Sequence, residues 1–314
     1  MNAMVLWMLL AAPAAAADTP PVTQFEAVSG PTAISRPDQS AELAMTSDVF
    51  ERMTVPVRLG GSGPFRFLVD TGSSRTSVSS LLARQLGLAE GQSATLHSST
   101  GPSQVRMAFL PELQLGRRSV HRIAAPMLEA HNIGADGILG IDSLRSQRVL
   151  FDFANGTLSI LTGEAQPRVE EGAIVVRARR LDGRLVITDA QVDGERVSVV
   201  IDTGSALTVG NAALRRKLER RGGFQINGAT DLVSVTGETL RGELAKVGAI
   251  EIGGARLEAP TIAFARAHTF TQLRLEHRPA LLLGMDTLRA FDQVSIDFAR
   301  KRVLLVLPRK RKRA

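Results

Sequence analysis

Cysteine is absent from the 314 residues of this chain. That excludes disulfides, Cys-ligated zinc, a thiol nucleophile and a lipid-modified cysteine. Stability has to come from an apolar core, and a 44% hydrophobic content over this length is enough for one or two domains. Tyrosine is absent too, and the one tryptophan is Trp7. The five histidines (His97, His121, His131, His268 and His277) show no His-Glu-x-x-His spacing and are expected to be ordinary surface or core residues. There is no Gly-x-x-x-x-Gly-Lys phosphate loop, no dinucleotide fingerprint, and no Gly-x-Ser-x-Gly elbow with His and Asp partners. No metal and no cofactor is expected.

Long apolar runs are missing as well. The run within residues 1–17 falls short of a membrane span and ends in Ala15-Ala16-Ala17, a small-residue cleavage signature of the secretory kind. Residues 1–17 therefore read as a signal peptide, although no Lys or Arg stands near the start, and the expected location is periplasmic or secreted. Residues 18–44, rich in Pro, Ser, Thr and Ala, read as an extended linker or arm. Positive charge is in slight excess, and its source is local. Of the formal +7, the tail Arg309-Lys310-Arg311-Lys312-Arg313 supplies +5, leaving +2 (7 − 5) for the rest. Weak contact of residues 309–314 with an anionic surface is the most this suggests, and no nucleic-acid partner is expected. The basic stretch from Ala212 to Arg221 reads as a solvated helix face.

What is present is a repeat. Phe67-Leu68-Val69-Asp70-Thr71-Gly72-Ser73 returns as Val199-Val200-Ile201-Asp202-Thr203-Gly204-Ser205, an offset of 132 (202 − 70). In each copy an apolar, β-prone run leads straight into Asp-Thr-Gly-Ser, the pattern of a buried strand running out into a tight turn. One such Asp is an ordinary turn residue. Two in matching contexts suggest half-sites that meet. Two carboxylates held about 3 Å apart cannot both ionise cheaply, so one keeps a proton and the other does not. The pair then offers a general base for a water and a general acid for a carbonyl oxygen. Gly72 and Gly204 allow close backbone approach, Thr71 and Thr203 can cross-link the turns, and the Ser73 and Ser205 hydroxyls are expected to donate to the outer carboxylate oxygens.

At these residues the chain resembles the aspartic peptidases, the standing example of a shared-proton dyad. A second family feature, two hydrophobic residues and a Gly downstream in each half, appears as Ile138-Leu139-Gly140 and Leu282-Leu283-Gly284. The short halves look more like the retroviral, retropepsin-like branch than like pepsin. The resemblance spans roughly residues 45 to 308. It implies an all-β fold of two homologous retropepsin-like β-barrel lobes forming a pseudo-dimer, with few short helices. The lobes are placed at 45–162 and 173–308, joined by a polar linker at 163–172. It also implies that Ile138-Leu139-Gly140 and Leu282-Leu283-Gly284 pack beside the active-site turns. Polar turns at Ser99-Thr100-Gly101 and Val235-Thr236-Gly237 match the family's substrate flaps, one per half; the Tyr of pepsin-like flaps is lacking.

Further repeats support duplication: Asp142 matches Asp286, both read as helix-start caps, and the strands before residues 162 and 307 also match. The expected helix from about Ser79 to Leu86 closes at Gly87. The resemblance implies an exported aspartic endopeptidase with catalytic Asp70 and Asp202, acting on peptide or protein in extended conformation, as a monomer. The alternative is a catalytically silent peptide-binding or structural relative.

Overall fold

Alternation builds the first lobe. In Met53–Leu59, Val55, Val57 and Leu59 are buried while Pro56 and Arg58 are exposed, the period of a strand with one face on a core. Gly60 and Gly61, at φ of 52° and 82°, turn the chain back into Ser62–Val69. This hairpin sets Val55 opposite Phe67 and delivers Asp70 at its end. The structure is a computed structural model that describes residues 52–116, 118–144, 147–162, 173–222 and 224–308, with four short strands ahead of them. The expected linker 163–172 and tail 309–314 lie outside the described residues. So do residues 1–44, apart from three of those strands.

The rest of the lobe wraps that hairpin. Ser77–Ser79 leads into a helix, Ser80–Gln85, capped by the Ser79 hydroxyl, which accepts from the Leu82 N–H at 3.0 Å. A long hairpin, Glu90–His97 and Pro102–Leu115, projects the turn at 98–101. Gly137–Leu139 then threads between strands, parallel to Ser62–Val69 and antiparallel to Ser77–Ser79.

The second lobe repeats the plan. Ser198–Ile201 delivers Asp202, and Ala280–Leu283 runs parallel to it and antiparallel to Val209–Gly210. The hairpin Ile226–Ser234 and Thr239–Lys246 projects the turn at 235–238. Its helix Ala212–Arg221 is capped by Asn211, and its basic face is solvated as expected, with Arg215 paired to Glu219 and Glu243 and Lys217 to Glu195.

The lobes share a sheet. Gln147–Asp152 pairs with Thr157–Thr162 on one side and with Gln293–Asp297 on the other, followed by Arg302–Val306 and Ile174–Leu181. Val149, Phe151, Val294, Ile296, Val303 and Leu305, on alternate positions, point into one core cluster that draws on both halves. The molecule is thus an all-β pair of related lobes with short helices.

Three early strands add to these sheets. Ala41–Ala44 extends the shared sheet beside Thr157–Thr162. Met4–Val5 lies parallel to Leu96–His97, and Leu9–Ala11 lies antiparallel to Leu232–Ser234, so both flank the strands that lead to the projecting turns.

Candidate active site

Each Asp arrives at the end of a rigid strand, and its turn is tied to the other lobe. Thr71 N–H donates to Thr203 Oγ1 at 3.0 Å, and Thr203 N–H donates to Thr71 Oγ1 at 3.2 Å. The hydroxyls reach further: Thr71 Oγ1 donates to Ile201 O at 2.9 Å and Thr203 Oγ1 to Val69 O at 2.7 Å. Each threonine thus bonds the backbone of the opposite half, which brings the two expected half-sites together.

The glycines measure how close that approach is. A Cβ placed on Gly72 would stand 2.5 Å from Asp202 Oδ1, and one on Gly204 would stand 2.4 Å from the Asp70 carboxyl carbon. Each carboxylate therefore lies against the other lobe's glycine. Asp70 Oδ1 accepts from the N–H groups of Gly72 and Ser73 at 2.7 and 3.0 Å, and Asp202 Oδ1 accepts from Gly204 N–H at 3.1 Å. Asp70 Oδ2 is buried with no hydrogen-bond partner among the described residues.

Behind the turns, Gly140 and Gly284 lie where no side chain fits, their would-be Cβ atoms 2.3 Å from Arg75 and Leu207 backbone respectively. Ile138-Leu139 and Leu282-Leu283 are fully buried beside the strands that carry the acids, and Leu139 O and Leu283 O accept from the Asp70 and Asp202 N–H groups.

Two expectations need correction. The Ser73 and Ser205 hydroxyls do not reach the carboxylates: they donate to Arg75 O at 2.7 Å and Leu207 O at 2.6 Å. These carbonyls outcompete the carboxylate for the hydroxyl proton, because they lie two residues along the same turn. Asp142 and Asp286 are not caps but first-turn residues that bracket the site from behind. Asp142 accepts from both Thr76 N–H and Thr76 Oγ1, and Asp286 from both groups of Thr208. Thr76 Oγ1 and Thr208 Oγ1 in turn accept from the Gly140 and Gly284 N–H groups, each at 3.1 Å.

The projecting turns meet across the two lobes. Ser98 pairs with Thr100, and Ser234 with Thr236, through matching hydroxyl contacts of 2.8 and 2.9 Å. Thr100 and Ser103 both donate to the Glu238 carboxylate of the opposite lobe at 3.2 Å. Burial opposes the charge on Glu238, but hydrogen bonds from Thr236, Ser234 and Thr100 outweigh it and hold the pKa down to about 2. Each tip also crosses over. Val235 is fully buried among Leu68, Leu96, Leu128, Ile133 and Ile138 of the first lobe, and Ser99 O accepts from His268 N–H of the second at 2.7 Å. His97 and His268 are not ordinary: their rings stack across the lobes with centroids 5.3 Å apart, His97 Nδ1 is 3.1 Å from His268 Nε2, and Gln272 contacts both.

Electrostatics completes the site. Burial raises Asp70 well above the usual carboxylate range, and the Asp202 charge raises it further. Burial pushes Asp202 up to about 7 against the opposing pull of Arg184 and the Gly204 and Ser205 N–H groups. Such a pair retains a proton that exposed carboxyls would release, and in its one-proton form it offers one acid and one base. Sequence reasoning missed Arg184 and Arg52, both fully buried here. Arg184 Nε donates to Gly72 O at 2.7 Å, crossing from the second lobe into the first lobe's turn, and Arg52 donates to Ile133 O at 2.6 Å. The available signal was their spacing, which is again 132 (184 − 52). Among the described residues no group of three or more His, Asp or Glu is placed to hold a metal ion.

With this geometry in hand, comparison with known proteins adds a family. A family model described as aspartyl protease matches the chain twice, over residues 55–143 and 188–287. No curated protein matches.

Proposed function

The chain belongs to the aspartyl protease family, as a single-chain pseudo-dimer of two retropepsin-like lobes, and from that premise we propose that it is an exported endopeptidase. The observation that carries the reading is the buried, cross-braced pair Asp70 and Asp202, with both carboxyls shifted upward. In the reaction, the ionised carboxylate takes a proton from a water as its oxygen attacks the scissile carbonyl carbon. The protonated partner gives its proton to the carbonyl oxygen. The resulting diol collapses as the amide nitrogen is protonated and the C–N bond breaks, which restores one proton on the dyad.

Substrate would enter as an extended strand between the dyad and the turns at 98–101 and 235–238, acting as flaps. Support comes from the chain itself: Met4–Val5 and Leu9–Ala11 add as strands to the two flap hairpins. Removal of residues 1–17 on export would leave those strand edges to substrate. The chain is proposed to work as a monomer, since it supplies both half-sites.

The test is a peptide library incubated from about pH 3 to pH 7, with and without a pepstatin-type inhibitor. The starting materials are the full chain and a chain beginning at Asp18. Cleavage sensitive to the inhibitor, lost in Asp70→Asn and in Asp202→Asn while both variants stay folded, is the expected result. A folded wild type that binds peptides without turnover would replace this reading with the silent relative. Recovery from the native host of a chain that still begins at Met1 would remove the export assignment.

A further inference from the structure

Two buried arginines stand in the same relation to each other as the two catalytic acids. Asp70 and Asp202 are 132 residues apart (202 − 70), and so are Arg52 and Arg184 (184 − 52). Each arginine sits at the start of a strand, Arg52 just before Met53–Leu59 and Arg184 at the head of Arg184–Ile187. Neither side chain reaches solvent. A guanidinium is almost never fully buried without a specific reason, because its desolvation costs several kcal/mol or more.

The geometry shows what Arg184 touches. Its Nε donates to Gly72 O, the carbonyl of the turn whose N–H groups grip Asp70. One end nitrogen pairs with Asp182 at 3.0 Å, and Asp182 is more than half exposed. So one cation is anchored to an exposed carboxylate at one end and to the first lobe's Asp70 turn at the other. Its charge acts on both acids, and that of Arg52 acts on Asp202. Guanidinium stays protonated at any working pH, so this is a fixed positive field. A dyad holding one proton carries one negative charge, and a positive field favours that state over the fully protonated one.

Resting on the peptidase reading of the dyad, we infer that Arg184, assisted by Arg52, is a positioning residue: it seats the Gly72 turn and sets the pH range over which the dyad is singly ionised. A lysine at 184 keeps the charge but loses the planar Nε contact to Gly72 O. The two roles therefore separate.

The experiment compares wild type, Arg184→Met, Arg184→Lys and Arg52→Met. It reads the pH profile of kcat/KM on one peptide, and the titration of the aspartyl carboxyls by carbon-13 NMR. Arg184→Met should move the acidic limb and the carboxyl titration upward by roughly one unit or more. Arg52→Met should move them in the same direction by less, and it carries the test if Arg184→Met does not fold. Arg184→Lys should restore the limb while turnover stays about tenfold or more below wild type, because the turn is no longer seated. Limbs and titrations that superimpose on wild type in the methionine variants would overturn the inference, leaving the arginines as packing. A wild type without peptidase activity would overturn the functional reading instead. The carboxyl titrations would still decide the role of the arginines.

Discussion

Asp202→Asn should stabilise the protein, and by more as pH rises. The carboxyl of Asp202 goes from 3.8 in an unfolded chain to about 7 in the folded one, driven by burial. Between those values the folded state holds a proton that the unfolded state has released. The unfolded state binds fewer protons there, so the free energy of unfolding falls as pH rises. A shift of about three units corresponds to about 4 kcal/mol, lost progressively from about pH 4 to about pH 7 and constant above. That is a large share of the 5–15 kcal/mol that an ordinary domain has. Asparagine has nearly the same shape and keeps an oxygen to accept from Gly204 N–H, but it does not ionise. The assay is urea unfolding followed by far-ultraviolet circular dichroism, since with no Tyr and only Trp7 the chain offers little intrinsic fluorescence. Measured at pH 4 and pH 8, the stability gain of the variant over wild type should grow by about 4 kcal/mol. A gain that stays constant within about 1 kcal/mol would mean that Asp202 is ionised across this range, and the assignment of a raised pKa to Asp202 would fall.

Other outcomes follow from the contacts. Gly72→Ala or Gly204→Ala drives a methyl into the opposite carboxylate; each should cost about 1–3 kcal/mol of stability and remove peptidase activity, and near-normal turnover would show that the lobes are not so closely apposed. The double change Ser73→Ala and Ser205→Ala should leave the acidic limb of the pH profile in place, because both hydroxyls serve backbone carbonyls; an upward shift would contradict that geometry. Burial, and then the neighbouring His97, holds the His268 pKa below its usual value, so the stacked pair is stable while neutral and weakens as pH falls. Hydrogen exchange at residues 98–101, corrected for intrinsic rates, should therefore accelerate on acidification in wild type, and His268→Phe should remove that dependence.

The acids were legible because a continuous apolar, β-prone run ending in Asp-Thr-Gly-Ser is a local signal, and it occurs twice. The helix expected from about Ser79 to Leu86 was legible from its own start and its closing Gly87, and it forms as Ser80–Gln85 with Ser79 as its cap. Arg52 and Arg184 were not, since arginine composition reads as surface and only their tertiary setting places them inside. Their spacing carried the information, but only once the acids had supplied the ruler. His97 and His268 lie 171 residues apart (268 − 97), and nothing local in either marks the other. The serine hydroxyls were misjudged because a competition between two nearby acceptors is decided by turn geometry, which sequence spacing does not contain.

The sheet shared by the lobes sets a timetable. Phe151 lies opposite Val294, so the last strands of the first half find their neighbour only after about 140 further residues exist. At about 5–20 residues per second of synthesis, that is a wait of roughly 7–30 s, with one sheet edge open. Long-range pairing of this kind makes folding slow, and the joint cannot close before residues 293–306 have been made. A chain cut short before residue 202 carries Asp70 and its whole turn, yet has nothing to share a proton with. The two carboxylates thus gain the sheet that joins their lobes only once the second lobe's last strands exist, a delay written into strand order alone.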